Sequence, residues 1–169
     1  LRRSRILQIA VVTVAEGVVV DEWSSLVRLR WPWQRVGPRS VHGIGRRQLR
    51  HAPRQRLVLE QLAERLDGAV FTAHNAAFDW AFIERAARRH HVDMPPVQRL
   101  CTLHLSRRLD PERAVSHRLG DLCLRFDVEN TRPHDALHDA RATAAVLQHL
   151  LVAHAVAGAP DLDPLYERA

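Results

Sequence analysis

Three side chains that are far apart in the sequence could together hydrolyse a phosphodiester bond. His134 precedes Asp139 by five residues at the start of a long helix-forming run, and Asp79 ends the upstream segment His-Asn-Ala-Ala-Phe-Asp. Carboxylates bind divalent metal ions, and a neutral imidazole can take a proton from water. Two carboxylates and one imidazole in a common site indicate metal-assisted hydrolysis, although two metal ions need more carboxylates than these.

Asp79 also has a structural interpretation. It stands in the first turn of a predicted helix that follows a predicted strand, where an acidic side chain favours capping and the helix dipole. The same junction is where open α/β sheets bind their ligands. Asn75 could fix the preceding loop through its amide, and a buried Phe78 could fix the direction of the neighbouring carboxylate. Capping and catalysis therefore both remain open for Asp79.

The second half of the candidate site is predicted at the mouth of the last helix. Pro133 sets a helix boundary, so His134 should precede the first turn, where the helix dipole disfavours the imidazolium form. The alternative is a surface histidine beside a solvated acidic turn, since the chain has 11 histidines. Asp135 shares a helical face with Asp139 and is a rival ligand, as is His138.

The elements that would position these residues follow an α/β order. Apolar, β-branched runs at 6–14 and 18–29 flank a tight turn and predict an antiparallel hairpin. The segment 31–53, rich in Pro, Gly, Arg and His, predicts a loop with short helical turns. Then come a helix over 57–66, a strand over 69–73, a helix over 76–90, a strand over 97–101, helices near 102–109 and 117–126, and a last helix from about 135 to 157. This order predicts a sheet with helices packed on it.

Composition favours one domain over residues 1–157, followed by a tail or linker over 158–169. Hydrophobic residues make up 46% of the 169, and no apolar run reaches the ~18 residues that cross a membrane. Cys101 and Cys123 are too few and too far apart for a disulfide framework or a zinc site. We therefore expect a reduced, cytoplasmic compartment and no membrane partner.

The net charge of +6 is carried entirely by arginine, because all 25 basic residues are Arg. A GC-rich genome explains this excess without any function. Arginine also binds phosphate bidentately, so the same charge suits a polyanionic partner. Arginines surround Trp31 and Trp33, and we expect this loop to lie near the substrate path, with packing of both tryptophans beneath the loop as the alternative. These arginines are Arg28, Arg30, Arg35, Arg39, Arg46 and Arg47.

Four segments in the same order resemble the DEDDh 3′–5′ exonucleases, the DnaQ-like group that includes the proofreading epsilon subunit of bacterial DNA polymerase III. The pair His-Asn-Ala-x-Phe-Asp and His-x4-Asp carries the resemblance most clearly. Residues 5–10 resemble the family's second strand, and residues 41–44 with Ala52-Pro53 resemble its His-Gly-Ile segment. Residues 100–103 occupy the place of its Asp-Thr-Leu segment, with Cys101 replacing the acid. The resemblance covers roughly residues 5 to 150.

The resemblance implies a ribonuclease H-like mixed sheet flanked by helices and a site with two Mg²⁺ or Mn²⁺ ions. It assigns Asp79 and Asp139 to the metal site and His134 to the general base, and it leaves Asp135 in the variable part of His-x4-Asp. The implied substrate is a single-stranded 3′ end of DNA, or of RNA, with a DNA polymerase as a candidate partner. The implied substrate-binding residues are His74, Asn75, Phe78, His42 and Ile44.

One motif of the family is absent from residues 1–169. Asp-x-Glu-Thr-Thr-Gly supplies two of the family's four site carboxylates, and this chain begins at Leu1, without Met, as if just after that glycine. We therefore expect the first central strand to be lacking, the sheet to be interrupted between 6–14 and 69–73, and this polypeptide to be inactive. Glu16, Asp21 and Glu22 belong to the hairpin and are not promoted as replacements.

Two other functions compete with an exonuclease. The first is a catalytically dead nucleic-acid-binding module of the same fold, and the second, less favoured, is an unrelated globular binding domain. The exonuclease and the dead module share the fold and the basic surface. They differ in whether the complete gene encodes Asp-x-Glu immediately upstream.

Overall fold

The computed structural model describes residues 5–31, 33–34, 36–157 and 166–167. Predictions about Arg35 and about most of the tail lie outside the described residues. The strands are β1 (Gln8–Ala15), β2 (Val18–Leu26), β3 (Phe71–Ala73), β4 (Arg99–Cys101) and β5 (Tyr166–Glu167). The helices are α1 (Arg39–His42), α2 (Arg46–His51), α3 (Gln55–Leu66), α4 (Ala76–His90), α5 (Thr102–Arg108), α6 (Leu119–Arg125) and α7 (Ala136–Val156).

The predicted hairpin is confirmed. β1 and β2 pair antiparallel, and their turn uses left-handed backbone at Glu16 and Gly17, with φ of 52° and 80°. β2 ends at Leu26, earlier than the predicted 29, because the chain then leaves the hairpin. The Val27 N–H still donates to Leu7 O at 2.8 Å, opposite it in the hairpin, whereas the Arg28 N–H donates to Pro53 O at 2.8 Å. The chain therefore turns from the hairpin into the 31–53 segment, which contains the two short helices α1 and α2.

The remaining strands form a second, separate sheet. β3 pairs parallel with β4, and β4 pairs antiparallel with β5, so two residues of the predicted tail join the sheet. Within the described residues, no hydrogen-bonded ladder joins β1 to β3. Seven of the eight β1 residues are half-buried and none is fully buried, whereas interior strands of α/β sheets are buried on both faces. The interruption expected between these two strands is therefore found.

Helices cover the strands on two sides, each with its own apolar cluster. On one side, buried leucines of α3 pack with Ile83 and Ala86 of α4 and with half-buried residues of β1 and β2. On the other side, α5, α6 and α7 pack together around Leu100 of β4 and the fully buried Leu122. Helix α7 also lies against β1, so the hairpin has helices on both faces. Both cysteines are buried and free.

Helices α4 and α7 position the candidate site. Helix α4 spans the predicted residues 76–90 and ends where His91 adopts a left-handed conformation and its N–H donates to Ala87 O. Helix α7 begins at Ala136, one residue later than predicted, because Asp135 caps it. No helix in the described ranges is both long and apolar enough to cross a membrane.

Candidate active site

The β3–α4 junction presents Asp79 from a short, constrained loop. The strand ends at Ala73, and Asn75 takes a left-handed conformation with φ of 78°, which asparagine tolerates better than most residues. The Phe78 N–H donates to Asn75 O at 2.9 Å and starts the helix. The Asn75 side chain is exposed and makes no capping hydrogen bond, so the backbone of Asn75, and not its amide, closes the loop.

Asp79 is a half-buried carboxylate with no protein partner. No hydrogen bond or ion pair to it occurs in the part of the chain that the structure describes, so the capping alternative receives no support. Burial raises the pKa of Asp79 from 3.8 to about 6, because desolvation disfavours the charged form. An ionised carboxylate held in this way would be stabilised by a cation placed beside it.

Next to this loop, His74 is held by the start of α5. A hydrogen bond of 3.0 Å joins His74 Nδ1 to Oγ1 of Thr102, a residue that is fully buried. Burial lowers the pKa of His74, and the positive charge of Arg107 acts in the same direction. His74 is therefore a neutral, oriented imidazole in the loop that leads into α4, the helix that carries Asp79. Thr102 belongs to the Leu-Cys-Thr-Leu segment, so this part of the sequence orients His74.

Asp139 holds the loop that leads into α7. Its Oδ1 accepts from Asn130 Nδ2 at 3.1 Å, and its Oδ2 accepts from the His134 backbone N–H at 3.0 Å. His134 has a left-handed backbone with φ of 71° and an exposed side chain, two residues before the first helical residue. The imidazole is thus placed at the mouth of α7, as predicted, while its backbone is tied to the carboxylate five residues later.

Asp135 has a structural role. As the N-cap of α7, its Oδ1 accepts from the backbone N–H groups of Leu137 and His138 at 3.0 and 3.3 Å. The His138 ring lies 3.1 Å from the same oxygen, and this hydrogen bond is the main reason that the pKa of Asp135 is lowered. Both rivals of Asp139 are therefore engaged with each other at the helix start.

The three predicted catalytic residues fall into two groups. His134 and Asp139 are in direct contact, whereas within the described ranges no hydrogen bond or ion pair joins either of them to Asp79. Among the described residues, no group of three or more His, Cys, Asp or Glu side chains is arranged to hold a metal ion. That all three residues share one cleft stays a prediction.

The predicted substrate-binding residues differ in exposure. Phe78 is 49% exposed, so its expected burial is wrong and its ring is available to a ligand, whereas Ile44 belongs to the core. Both ring nitrogens of His42 are used within its own loop: Nδ1 accepts from the Ile44 N–H at 3.0 Å, and Nε2 donates to Val36 O at 3.0 Å. His42 therefore shapes the loop that leads into α2, and its contact with substrate stays a prediction.

A buried polar group that the sequence did not predict lies behind His74. His117 Nδ1 is 2.7 Å from Ser106 Oγ, and His117 Nε2 is 3.3 Å from Asp110 Oδ2. These are the residue types of a nucleophilic triad, but Ser106 is 2% exposed and no substrate could reach it. The group joins α5 to the loop before α6, and only the one-turn spacing of Ser106 and Asp110 hints at it in the sequence.

The chain matches a known family and several known proteins over most of its length. Residues 2–147 match the model of a family described as exonuclease. The chain is 39% identical over 149 residues to a Mycobacterium tuberculosis protein whose name describes a bifunctional exonuclease/endonuclease; the match covers 86% of this chain and 23% of that protein. It is 32% identical over 163 residues to the PolC-type DNA polymerase III of Bacillus subtilis, covering 96% of this chain and 11% of the polymerase. The chain thus spans less than a quarter of either relative.

Two solved structures share its architecture. Exonuclease X, in complex with 5′ overhanging duplex DNA, has a TM-score of 0.67 and 26% identity, with 90% of this chain and 86% of that chain covered. A 3′-exonuclease that recognises the histone mRNA stem-loop also has a TM-score of 0.67, over 89% of this chain and 84% of that chain, but at 14% identity it shows the fold alone. The mixed α/β fold is therefore ribonuclease H-like, as expected.

Proposed function

Because this chain belongs to the exonuclease family, we propose that it represents a 3′–5′ exonuclease domain that hydrolyses phosphodiester bonds at single-stranded 3′ ends, in DNA more than in RNA. The observation that carries the proposal is Asp79, a half-buried carboxylate at the β3–α4 junction that has no partner among the described residues. His134 is the proposed general base, because its ring is exposed and its backbone is fixed by Asp139.

The described residues fit a divalent metal site only in part. Asp79 offers a free carboxylate, and Asp139 offers a second whose oxygens already accept from Asn130 and His134. Two Mg²⁺ or Mn²⁺ ions carry four positive charges, and the two carboxylates offset half of this charge. The ions therefore need further acidic ligands, and residues 1–169 alone are expected to be inactive.

The test compares residues 1–169 with the same chain extended by its native upstream segment. A single-stranded oligonucleotide labelled at its 5′ end, incubated with Mg²⁺, reports shortening from the 3′ end. We expect digestion by the extended chain only, and its loss in Asp79→Asn, Asp139→Asn and His134→Ala. His51→Ala is the matched control, because His51 is exposed at the end of α2. Robust metal-dependent digestion by residues 1–169 alone would contradict the proposal.

The shortage of carboxylates also favours a second candidate, a nucleic-acid-binding module of the same fold without catalysis. This candidate predicts that the extended chain binds single strands but leaves them intact, and that the upstream coding sequence lacks Asp-x-Glu. The similarity to a PolC-type polymerase suggests a DNA polymerase as the partner in either case. Co-purification of the extended chain with its own polymerase subunits would test that partner.

A further inference from the structure

One face of α4 carries a stripe of aromatic and basic side chains. Phe78, Phe82, Arg85 and Arg89 follow one another at spacings of four, three and four residues, so they lie on one helical face. The rings of Phe78 and Phe82 are 5.0 Å apart, and the Arg85 guanidinium lies 6.0 Å from the Phe82 ring centre. The stripe begins beside Asp79 and runs to the C-terminal end of the helix.

The far end of this stripe forms one wall of a small, half-open cleft in the surface. Three arginines line the cleft, Arg5 from the chain before β1 and Arg85 and Arg89 from α4, together with Gln55 and Phe82. Arg5 and Arg89 form no ion pair within the described part of the chain. Arginines beside an aromatic ring on an open surface suit contact with a phosphate group.

Positive charge extends beyond the cleft around His90. The His90 ring is 3.1 Å from Gln55 Oε1, and its pKa is lowered first by burial and then by the charges of Arg89, Arg30, Arg5 and Arg56. Arg56 is partly neutralised, since its Nε lies 2.8 Å from Glu60 Oε1. The arginines of three chain segments therefore add their fields at the C-terminal end of α4.

Two exposed tryptophans adjoin this charge. The rings of Trp31 and Trp33 stack 5.5 Å apart with an interplanar angle of 15°, and the Arg30 guanidinium lies 5.6 Å from the Trp31 ring centre. Trp31 is 48% exposed and Trp33 75%. The alternative that both tryptophans pack beneath the loop is therefore wrong. Exposed indole faces next to arginines are the arrangement on which unpaired bases stack.

We propose that this surface, defined by Arg5, Arg30, Arg85, Arg89, Phe82, Trp31 and Trp33 and called the α4 basic surface, binds the interior of a single-stranded nucleic acid away from its 3′ end. The arginines contact phosphates, and the tryptophans stack on bases. Asp79 and Arg89 are ten residues apart along α4, a rise of about 15 Å, so one strand can reach both. The inference takes only the class of ligand from the proposed function.

The experiment measures binding under conditions in which neither catalysis nor a 3′ end is needed. Fluorescein-labelled oligo(dT), linear or closed into a circle, is titrated with residues 1–169 in EDTA at several salt concentrations. The matched pair is Arg89→Gln against Arg88→Gln, because Arg88 is the neighbouring residue, lies off the stripe and pairs with Glu84 at 3.1 Å. Trp33→Leu removes one stacking face without disturbing the core, since Trp33 is largely exposed. Oligo(U) and inorganic polyphosphate complete the set of probes.

We expect linear and circular oligo(dT) to bind equally and to quench tryptophan fluorescence. Arg89→Gln should reduce the slope of log affinity against log salt by about 0.7, the value for one phosphate contact on a single strand, whereas Arg88→Gln leaves it unchanged. Trp33→Leu should weaken binding by about fivefold or more and reduce the quenching. Comparison of oligo(dT) with oligo(U) assigns the surface to DNA or RNA.

Several results would overturn the inference. These are equal effects of Arg89→Gln and Arg88→Gln, competition by polyphosphate as strong as by oligo(dT), and binding of linear but not circular strands. The last result would leave the proposed 3′-end function intact. Conversely, if the extended chain binds circular oligo(dT) and digests no strand, this result would overturn the proposed 3′-end function and support the α4 basic surface.

Discussion

Replacing Asp79 with asparagine should stabilise this protein at neutral pH. The Asp79 carboxylate is half-buried, and no hydrogen bond or ion pair to it occurs among the described residues. Its pKa is about 6 in the folded protein against 3.8 ordinarily, so folding disfavours the ionised form. The contribution of Asp79 to stability is therefore greatest below pH 3.8 and is lost as the pH rises through 6. Asparagine fills nearly the same volume without the charge.

The magnitude follows from the raised pKa. A difference of about 2 pKa units, at about 1.4 kcal/mol per unit, gives an upper limit of about 3 kcal/mol. Solvent reaches a half-buried side chain and screens its charge, so we expect about 1–2 kcal/mol. The gain should be complete above pH 6 and much smaller at pH 4.5.

Urea unfolding of the wild type and Asp79→Asn at pH 4.5 and 7.5, in EDTA, measures this gain. Asp93→Asn is the control, because Asp93 is exposed and makes the same change of charge. An Asp79→Asn variant that is less stable than the wild type at pH 7.5, or equally affected at both pH values, would refute the interpretation of Asp79 as an uncompensated charge. The same carboxylate would then have an unrecognised partner and would be a weaker candidate for binding a cation.

Three further predictions concern the framework of the site. Asp135→Ala should lower the free energy of unfolding by about 1 kcal/mol, because α7 loses its N-cap, and Asp135→Asn should recover most of it in urea unfolding. Leu122→Ala should lower the free energy of unfolding by about 2–5 kcal/mol, since Leu122 is fully buried. Leu124→Ala in the same helix should change it by less than about 0.5 kcal/mol, because Leu124 is 83% exposed. Equal effects of the two substitutions would contradict the packing of helices on both sides of the strands. Alternate amides of β1 should exchange hydrogen rapidly, because among the described residues β1 pairs only with β2; equal protection along the strand in NMR would argue against an open edge.

Sequence reasoning predicted the elements whose signals are local. The bounds of α4 follow from its apolar spacing, and the start of α7 follows within one residue from the boundary set by Pro133, whereas the capping role of Asp135 was not predicted. The bounds of the strands were less accurate, since the chain leaves the hairpin where Arg28 bonds to the distant Pro53. The pairing of β4 with Tyr166–Glu167 was not predicted either, because a two-residue strand has no periodicity to detect.

Contacts within the site likewise divide into local ones, which the sequence could indicate, and long-range ones, which it could not. The contact between His134 and Asp139 spans five residues, so the His-x4-Asp spacing could indicate it. The contact of His74 with Thr102 spans 28 residues, and the contact of Ser106 with His117 depends on a loop that folds back onto α5. Such pairs depend on tertiary packing, which single-sequence patterns do not encode. For Asp79, the sequence allowed capping or catalysis. Among the described residues it makes no capping hydrogen bond, and its catalytic role stays a prediction.

The interruption of the sheet and the shortage of carboxylates both concern the open side of β3, next to Asp79. β3 runs directly into His74 and Asn75, and the carboxyl ends of parallel strands meet at one edge of a sheet. A strand parallel to β3 on its open side would therefore end on the same side as Asp79, and it could also pair with the free edge of β1. Acidic residues at the end of such a strand would supply the missing ligands. The extended chain should thus gain stability together with activity, because one segment would satisfy both the unpaired backbone and the metal site.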